Sequence, residues 1–161
     1  MQVIRNILVP TDFSAASTSA LRSACKVADA FGASVHVLHV FEKPFGRETF
    51  LEMYPPPPQE YVEALDRQAR ADLDAQLTMD EKAKYSAVLT MRMGVPAPEI
   101  LRYIHEHGAL DLVVMATAGR GAVARLLMGS VADKIVRAAP CPVLTMHPGE
   151  QGDANVTEEA A

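Results

Sequence analysis

Unbroken apolar runs alternate with helical periods along this chain. Asn6-Ile-Leu-Val-Pro10 is apolar after its first residue and ends on proline, which predicts a short, fully buried strand. Ala20, Leu21, Ala24, Val27, Ala28 and Phe31 recur at helical spacing. They predict a helix over Ala15–Phe31, entered through Thr11-Asp-Phe-Ser14 and stopped at Gly32. Ser34–Val40 predicts a second strand, rich in valine. Phe41–Pro58 breaks the rhythm with Pro44, Gly46 and the run Pro55–Pro58, and predicts an irregular connection. Tyr61, Leu65, Ala69, Leu73 and Leu77, at steps of four, predict one helix over Gln59–Leu77. Alternation at Tyr85, Ala87, Leu89, Met91 and Met93 predicts a half-buried strand. A helix from about Ala97 to Glu106 follows, ended by Gly108. Leu110–Ala116 is a further apolar strand, Gly129-Ser130 opens a helix to about Ala138, and Val143–Met146 is the last strand.

Strands alternating with helices, four of the five strands continuously apolar, predict a parallel sheet covered on both faces. The fold class is α/β, a single-domain open five-stranded sheet, and its common strand order is 3-2-1-4-5. Open parallel sheets take ligands beyond the carboxyl ends of their strands, where the strand order reverses. Here that is between strands one and four, so the loops to inspect are Thr11–Ser14 and Thr117–Ser130.

Composition narrows the class. The 161 residues are 49% apolar and 22% charged, with mean hydropathy +0.06. That is too apolar for a disordered chain. Fifteen Lys and Arg stand against twenty Asp and Glu. A phosphate-driven nucleic-acid binder is usually basic, so nucleic acid is not an expected partner. Four acids, Glu150, Asp153, Glu158 and Glu159, lie past Pro148 with no Lys or Arg beside them. Residues 1–147 are therefore the expected domain, close to neutral, and residues 148–161 an acidic tail expected to be disordered. Cys25 and Cys141 make no disulfide framework and no zinc spacing. Cys25 is expected in the core and Cys141 nearer the surface. No apolar stretch approaches the roughly 18 residues of a membrane span, and none near Met1 suits a signal peptide. The expectation is a cytoplasmic protein with no membrane partner.

Asp12 is the distinctive residue of the first loop. A carboxylate there can accept from a ribose hydroxyl and a base amino group, or it can cap the following helix. In the second loop, Gly119 and Gly121 permit close approach of backbone N–H groups to a phosphate. Gly129-Ser130 sits where free N–H groups and the helix dipole favour an anion. The alternative is that the glycines only shape a turn and Ser130 only caps its helix. Gly119–Ala124 also matches G-x-G-x-x-A, but it follows the fourth strand and no acid lies about 20 residues on, so a dinucleotide fingerprint is discounted. The G-x-x-x-x-G-K-[ST] phosphate loop is absent.

At these residues the chain resembles the universal stress protein family. The resemblance spans Val3 to about Met146 and is carried by Ile7-Leu-Val-Pro-Thr-Asp-Phe-Ser14, Val37-Leu-His-Val40, Gly119-Arg-Gly to Gly129-Ser130 and Ala139-Pro-Cys-Pro-Val143. The nucleotide-binding branch of that family carries G-x2-G-x9-G-[ST]. Gly119 matches the second glycine and Gly129-Ser130 the close, with Ala116 at the first position. Alanine costs little there in extended geometry and is disfavoured at positive φ.

The resemblance implies an adenine-nucleotide alpha-hydrolase-like, Rossmann-like fold. It implies a stress-response regulator binding ATP or AMP, with or without Mg²⁺. The implied site is Pro10, Thr11, Asp12, Val40, Ala116, Gly119, Arg120, Gly121, Gly129, Ser130 and Val131. Within it Asp12 would hold the adenosine, the Val40 backbone would contact adenine, and Gly119, Gly129 and Ser130 would hold phosphates. It further implies a homodimer paired through Val143–Met146 and an unidentified regulatory protein partner.

Between Thr117 and Ala132 there is no carboxylate to hold a metal, so any Mg²⁺ would rest on phosphates and water. With no predicted catalytic residue, the chain reads as a binding protein with slow ATP hydrolysis at most. A nucleotide-free interaction module of the same fold, or a slow ATPase, are the alternatives. His36 and His39 fall on opposite faces of their strand by parity; His39, before Val40, is a candidate neighbour of the base or an ordinary structural histidine. Met91, Met93 and Met115 are expected to pack.

Overall fold

The computed structural model describes residues 4–42, 58–117 and 128–147. The elements are β1 (Asn6–Thr11), α1 (Ala15–Phe31), β2 (Ser34–Phe41), α2 (Gln59–Asp74), α3 (Met79–Lys84), β3 (Val88–Met93), α4 (Pro96–Glu106), β4 (Leu112–Ala116), α5 (Ser130–Ala138) and β5 (Val143–Met146). The five strands form one parallel sheet in the order β3-β2-β1-β4-β5, as the alternation predicts.

The apolar runs become central strands because both faces are covered. In β1, Ile7 and Val9 pack with Ala20, Leu21 and Ala24 of α1, while Leu8 packs with Ile100 and Tyr103 of α4 and Ile135 of α5. All three strand residues are fully buried. α1 and the end of α2 therefore cover one face, α4 and α5 the other. Burying a side chain of this kind contributes about 1.5–3 kcal/mol. Ser14 caps α1 by accepting from the Ser17 N–H, and Gly32 ends it in the left-handed region at φ 65°.

Three expectations are corrected. The single helix over Gln59–Leu77 is two: α2 stops at Asp74, and α3 starts on a capping box in which Thr78 Oγ1 accepts from the Glu81 N–H and Glu81 accepts from the Thr78 N–H. The strand expected from Tyr85 begins at Val88, because Tyr85 ends α3 and Ser86 turns the chain at φ 45°. Met91 and Met115 pack as expected, but Met93, at the end of the edge strand β3, is 51% exposed.

β1 continues one residue past Pro10, although proline lacks a ladder N–H. The pairing explains this. β1 and β4 are in register only at Ile7↔Leu112 and Leu8↔Val113, while β1 runs on to Thr11 and β4 to Ala116. Beyond Leu8 the two strands part, so Pro10 faces no β4 partner. That parting opens the sheet at the strand-order reversal.

Among the described residues, no helix is long and apolar enough to cross a membrane. The connection expected within Phe41–Pro58 falls largely outside the described residues, as do Gly119, Arg120, Gly121 and the tail from Pro148.

Candidate functional site

A cavity of about 640 Å³ occupies the gap between the parted ends of β1 and β4. Every described residue of the expected site lines it: Pro10, Thr11, Asp12, Val40, Ala116, Gly129, Ser130 and Val131. The remaining wall is largely apolar, with Leu38, Phe41, Pro96, Ile100 and Met115. Asp12 and Glu42 are the carboxylates on it, and no Lys or Arg lines it among the described residues.

The turn after β1 is built from short polar side chains. Thr11, buried, accepts from the Phe13 N–H through Oγ1 at 3.1 Å and lies 3.1 Å from the Ser17 hydroxyl. Asp12 Oδ1 accepts from the Ser14 N–H at 3.0 Å and from the Ser14 hydroxyl at 2.6 Å. The capping role open to Asp12 therefore belongs to Ser14, and Asp12 stands two residues outside the helix, where it orients the cap. Phe13 between them has φ 63°, a conformation a bulky residue rarely adopts. The Phe13 ring stacks on His39, centroids 4.2 Å apart.

β2 ends beside that turn. Thr11↔His39 is the last β1–β2 pair, so Val40 lies one residue beyond β1's reach. His36 and His39 do sit on opposite faces: His36 bonds Tyr103 Oη of α4 at 2.9 Å, while His39 meets Phe13 and lines the cavity. Burial, with His107 nearby, holds His36 below its ordinary value.

On the opposite wall, Ala116 closes β4 in paired, extended geometry opposite Met146 and is not among the residues at positive φ. It packs with the α1-side core, so the alanine in place of glycine carries no backbone strain. Thr117 then ties three segments together. Its N–H donates to the Met146 carbonyl at 2.9 Å, its Oγ1 lies 3.3 Å from that carbonyl and from His147 Nδ1, and its own carbonyl accepts from the Gly129 N–H at 2.5 Å. That last bond closes the neck of the loop whose residues 118–127 lie outside the described part. Gly129 thus spends its N–H on the neck. The N–H groups of α5 that follow belong to Ser130, Val131 and Ala132, and the N-cap, Gly129, has no side chain to cap them.

Several lining residues escape the sequence reading. Pro96 and Ile100 come from the start of α4, which follows β3 rather than either reversal loop. The signal was present: a helix entered by Pro96 at the carboxyl end of a strand must begin on the ligand side of the sheet. Ser17, Thr117 and Glu42 carry no motif of their own. Cys25 is buried and Cys141 half-buried, and burial pushes both thiols up, away from thiolate reactivity. Among the described residues there is no group of three or more His, Cys, Asp or Glu that could hold a metal.

Comparison with known proteins agrees with this architecture. A universal stress protein of Methanocaldococcus jannaschii is 32% identical over 143 residues, 88% of this chain and 81% of the relative. Universal stress protein UspA from Lactobacillus plantarum superposes with TM-score 0.75 at 24% identity, covering 91% of this chain and all of that one. A universal stress protein in complex with cAMP (TM-score 0.57, 22% identity, 91% of this chain and 98% of that one) shares the fold. So does one from Archaeoglobus fulgidus in complex with dAMP (TM-score 0.57, 19% identity, 89% and 98%). The profile of the universal stress protein family matches residues 4–147, from just before β1 to just after β5, and the chain belongs to that family.

Proposed function

We propose that this chain binds ATP or AMP between the loops after β1 and β4 and works as a cytoplasmic, homodimeric stress-response regulator. One observation carries the reading: where β1 and β4 part, Asp12 and the first turn of α5, entered through Gly129 with no capping side chain at that residue, line the same 640 Å³ cavity as Leu38, Val40, Ile100 and Met115. The apolar wall suits a purine, at about 25 cal/mol per Å² of apolar surface removed from water. Asp12, acceptor-only when ionised, suits ribose hydroxyls. The N–H groups of Ser130 and Val131, the Ser130 hydroxyl and the α5 dipole suit phosphates. Gly119, Arg120 and Gly121 complete the phosphate end in this reading. A Mg²⁺ bound with ATP would rest on phosphates and water, with Asp12 and Glu42 the only carboxylates on the described wall. The extended geometry at Ala116 removes the steric motive for a nucleotide-free protein, and relatives bound to cAMP and dAMP support an adenine ligand. β5 is the sheet edge, with Leu144 40% exposed, and suits pairing with a second copy.

The test is to denature purified protein, assay the supernatant for adenine nucleotide, and titrate ATP and AMP by calorimetry. Gly129→Glu places bulk and negative charge at the phosphate end and is expected to abolish binding while the oligomer persists. No released nucleotide and no heat at ligand concentrations on the order of millimolar would refute the reading. Hydrolysis that survives both Asp12→Ala and Ser130→Ala belongs to a contaminant.

A further inference from the structure

We propose that His39 is a positioning residue of this site: it holds the turn that carries Asp12. The inference rests on the nucleotide reading above. A carbonyl oxygen only accepts, so His39 Nδ1, 2.8 Å from the Thr11 carbonyl, carries the proton and donates. The bond joins the last paired residues of β1 and β2, Thr11↔His39. Immediately beyond it, Phe13 adopts φ 63° and lays its ring on the imidazole, 4.2 Å between centroids and 28° between planes. A strained conformation of this kind persists only where its surroundings over-determine it. Here the imidazole tether, the imidazole shelf and the Thr11 Oγ1 bond to the Phe13 N–H do so. The next amide, Ser14 N–H, donates to Asp12 Oδ1. His39 thus acts through Thr11 and Phe13 on the carboxylate that lines the cavity.

The experiment compares wild type, His39→Ala, His39→Asn and Asp12→Ala, with and without combination. Readouts are ATP affinity by calorimetry, urea stability, and amide exchange at Ser14 in ligand-free protein. Loss of one hydrogen bond and one ring stack predicts ATP binding weaker by about ten- to fiftyfold in His39→Ala. His39→Asn keeps an N–H near the Nδ1 position and is expected to recover most of the hydrogen-bond share. In the Asp12→Ala background His39→Ala is expected to change affinity by less than about twofold, because the group it positions is gone. Ser14 is expected to exchange faster in ligand-free His39→Ala and to be restored in His39→Asn.

Affinity within about twofold of wild type in His39→Ala overturns the proposal. Equal losses with and without Asp12 also overturn it, since His39 would then act on ligand directly or through global stability. So does an unchanged Ser14 amide. If His39→Ala fails to fold, His39→Phe keeps a ring beneath Phe13 but lacks the Nδ1 donor to the Thr11 carbonyl, and wild-type affinity in it overturns the proposal. A wild-type protein that binds no adenine nucleotide refutes the nucleotide reading itself. The exchange comparison, run without ligand, then still upholds or overturns His39 as the support of the turn.

Discussion

Of Gly32, Gly94 and Gly108, it is Gly94, between β3 and α4, where a single methyl group should do most damage. Its φ is 145°, and an added Cβ would stand 2.9 Å from both Cγ and Oε1 of Glu99. Carbon contacts are favourable only near 3.5–4.0 Å, so Glu99 must move. It has little freedom: it is 7% exposed, its carboxylate is bound by Arg102, and Arg92 Nη1 lies 4.0 Å away. The backbone conformation costs alanine about 1–3 kcal/mol. Disturbing a buried charged hydrogen bond adds about 1–2 kcal/mol. Gly94→Ala is therefore expected to lose about 2–5 kcal/mol, roughly 1–2 M in the urea midpoint.

Two other glycines calibrate the reasoning, because a Cβ on either meets nothing within 4 Å. Gly32→Ala, at φ 65°, should cost about 1–2 kcal/mol from backbone alone. Gly108→Ala, outside the left-handed region, should stay within about 0.5 kcal/mol of wild type. In a Glu99→Ala background the Gly94→Ala cost should shrink to its backbone part, a coupling of about 1–2 kcal/mol. Chemical denaturation of the six proteins checks this. A Gly94→Ala variant as stable as Gly108→Ala, or one whose cost is unchanged without the Glu99 side chain, would refute the clash.

Three further outcomes are expected. Burial, then His107, holds His36 below 6.5, so the unfolded chain takes up the proton first as pH falls. Its contribution is full above about 6.5 and is lost on acidification through the lower native value; urea titrations across that window should show a flatter pH dependence for His36→Gln, and an unchanged slope would show that the Tyr103–His107 pocket exerts no such effect. Leu144→Glu, which puts charge on the exposed edge strand, should give a monomer by light scattering with an unchanged circular dichroism spectrum; a persisting dimer would place the interface elsewhere. Deleting residues after His147 should leave thermal midpoint and ATP affinity nearly unchanged, and a large loss of either would show that the acidic tail packs on the domain.

Most of the fold is legible because its strands are unusually pure. β1 and β4 are apolar on both faces and β2 is valine-rich with one histidine on each face, so length and valine content identify them without any periodicity argument. The misread element boundaries fall between Asp74 and Val88, where the signals compete. Leu77 continues the four-residue spacing of α2 and is buried, 2% exposed, so hydrophobic position alone extends that helix past its end. The decisive signal is polar: Thr78 and Glu81 reset the backbone with a capping box, which periodicity does not register. Tyr85 likewise earns its place in the alternation by being buried, yet it sits at the end of a helix rather than in a strand.

The site shows the opposite balance. Asp12, Gly129 and Ser130 stand out by residue type in loops that the topology brings together, so their meeting is predictable once the strand order is. What cannot be read from residue types is which of their groups are already committed. Gly129 invites assignment as a phosphate donor, but its N–H closes the loop neck on the Thr117 carbonyl. Asp12 invites assignment as a helix cap, but Ser14 takes that place and Asp12 braces it. The supporting residues carry still less signal. Thr117, Ser17 and His39 are ordinary residue types for a strand end or a helix face, and their importance comes from partners distant in sequence: Thr117 from Met146 and Gly129, His39 from Thr11 and Phe13. A motif names groups that face a ligand because those must be of one chemical kind. The groups that hold them in place need only reach, and reach is a property of the folded chain.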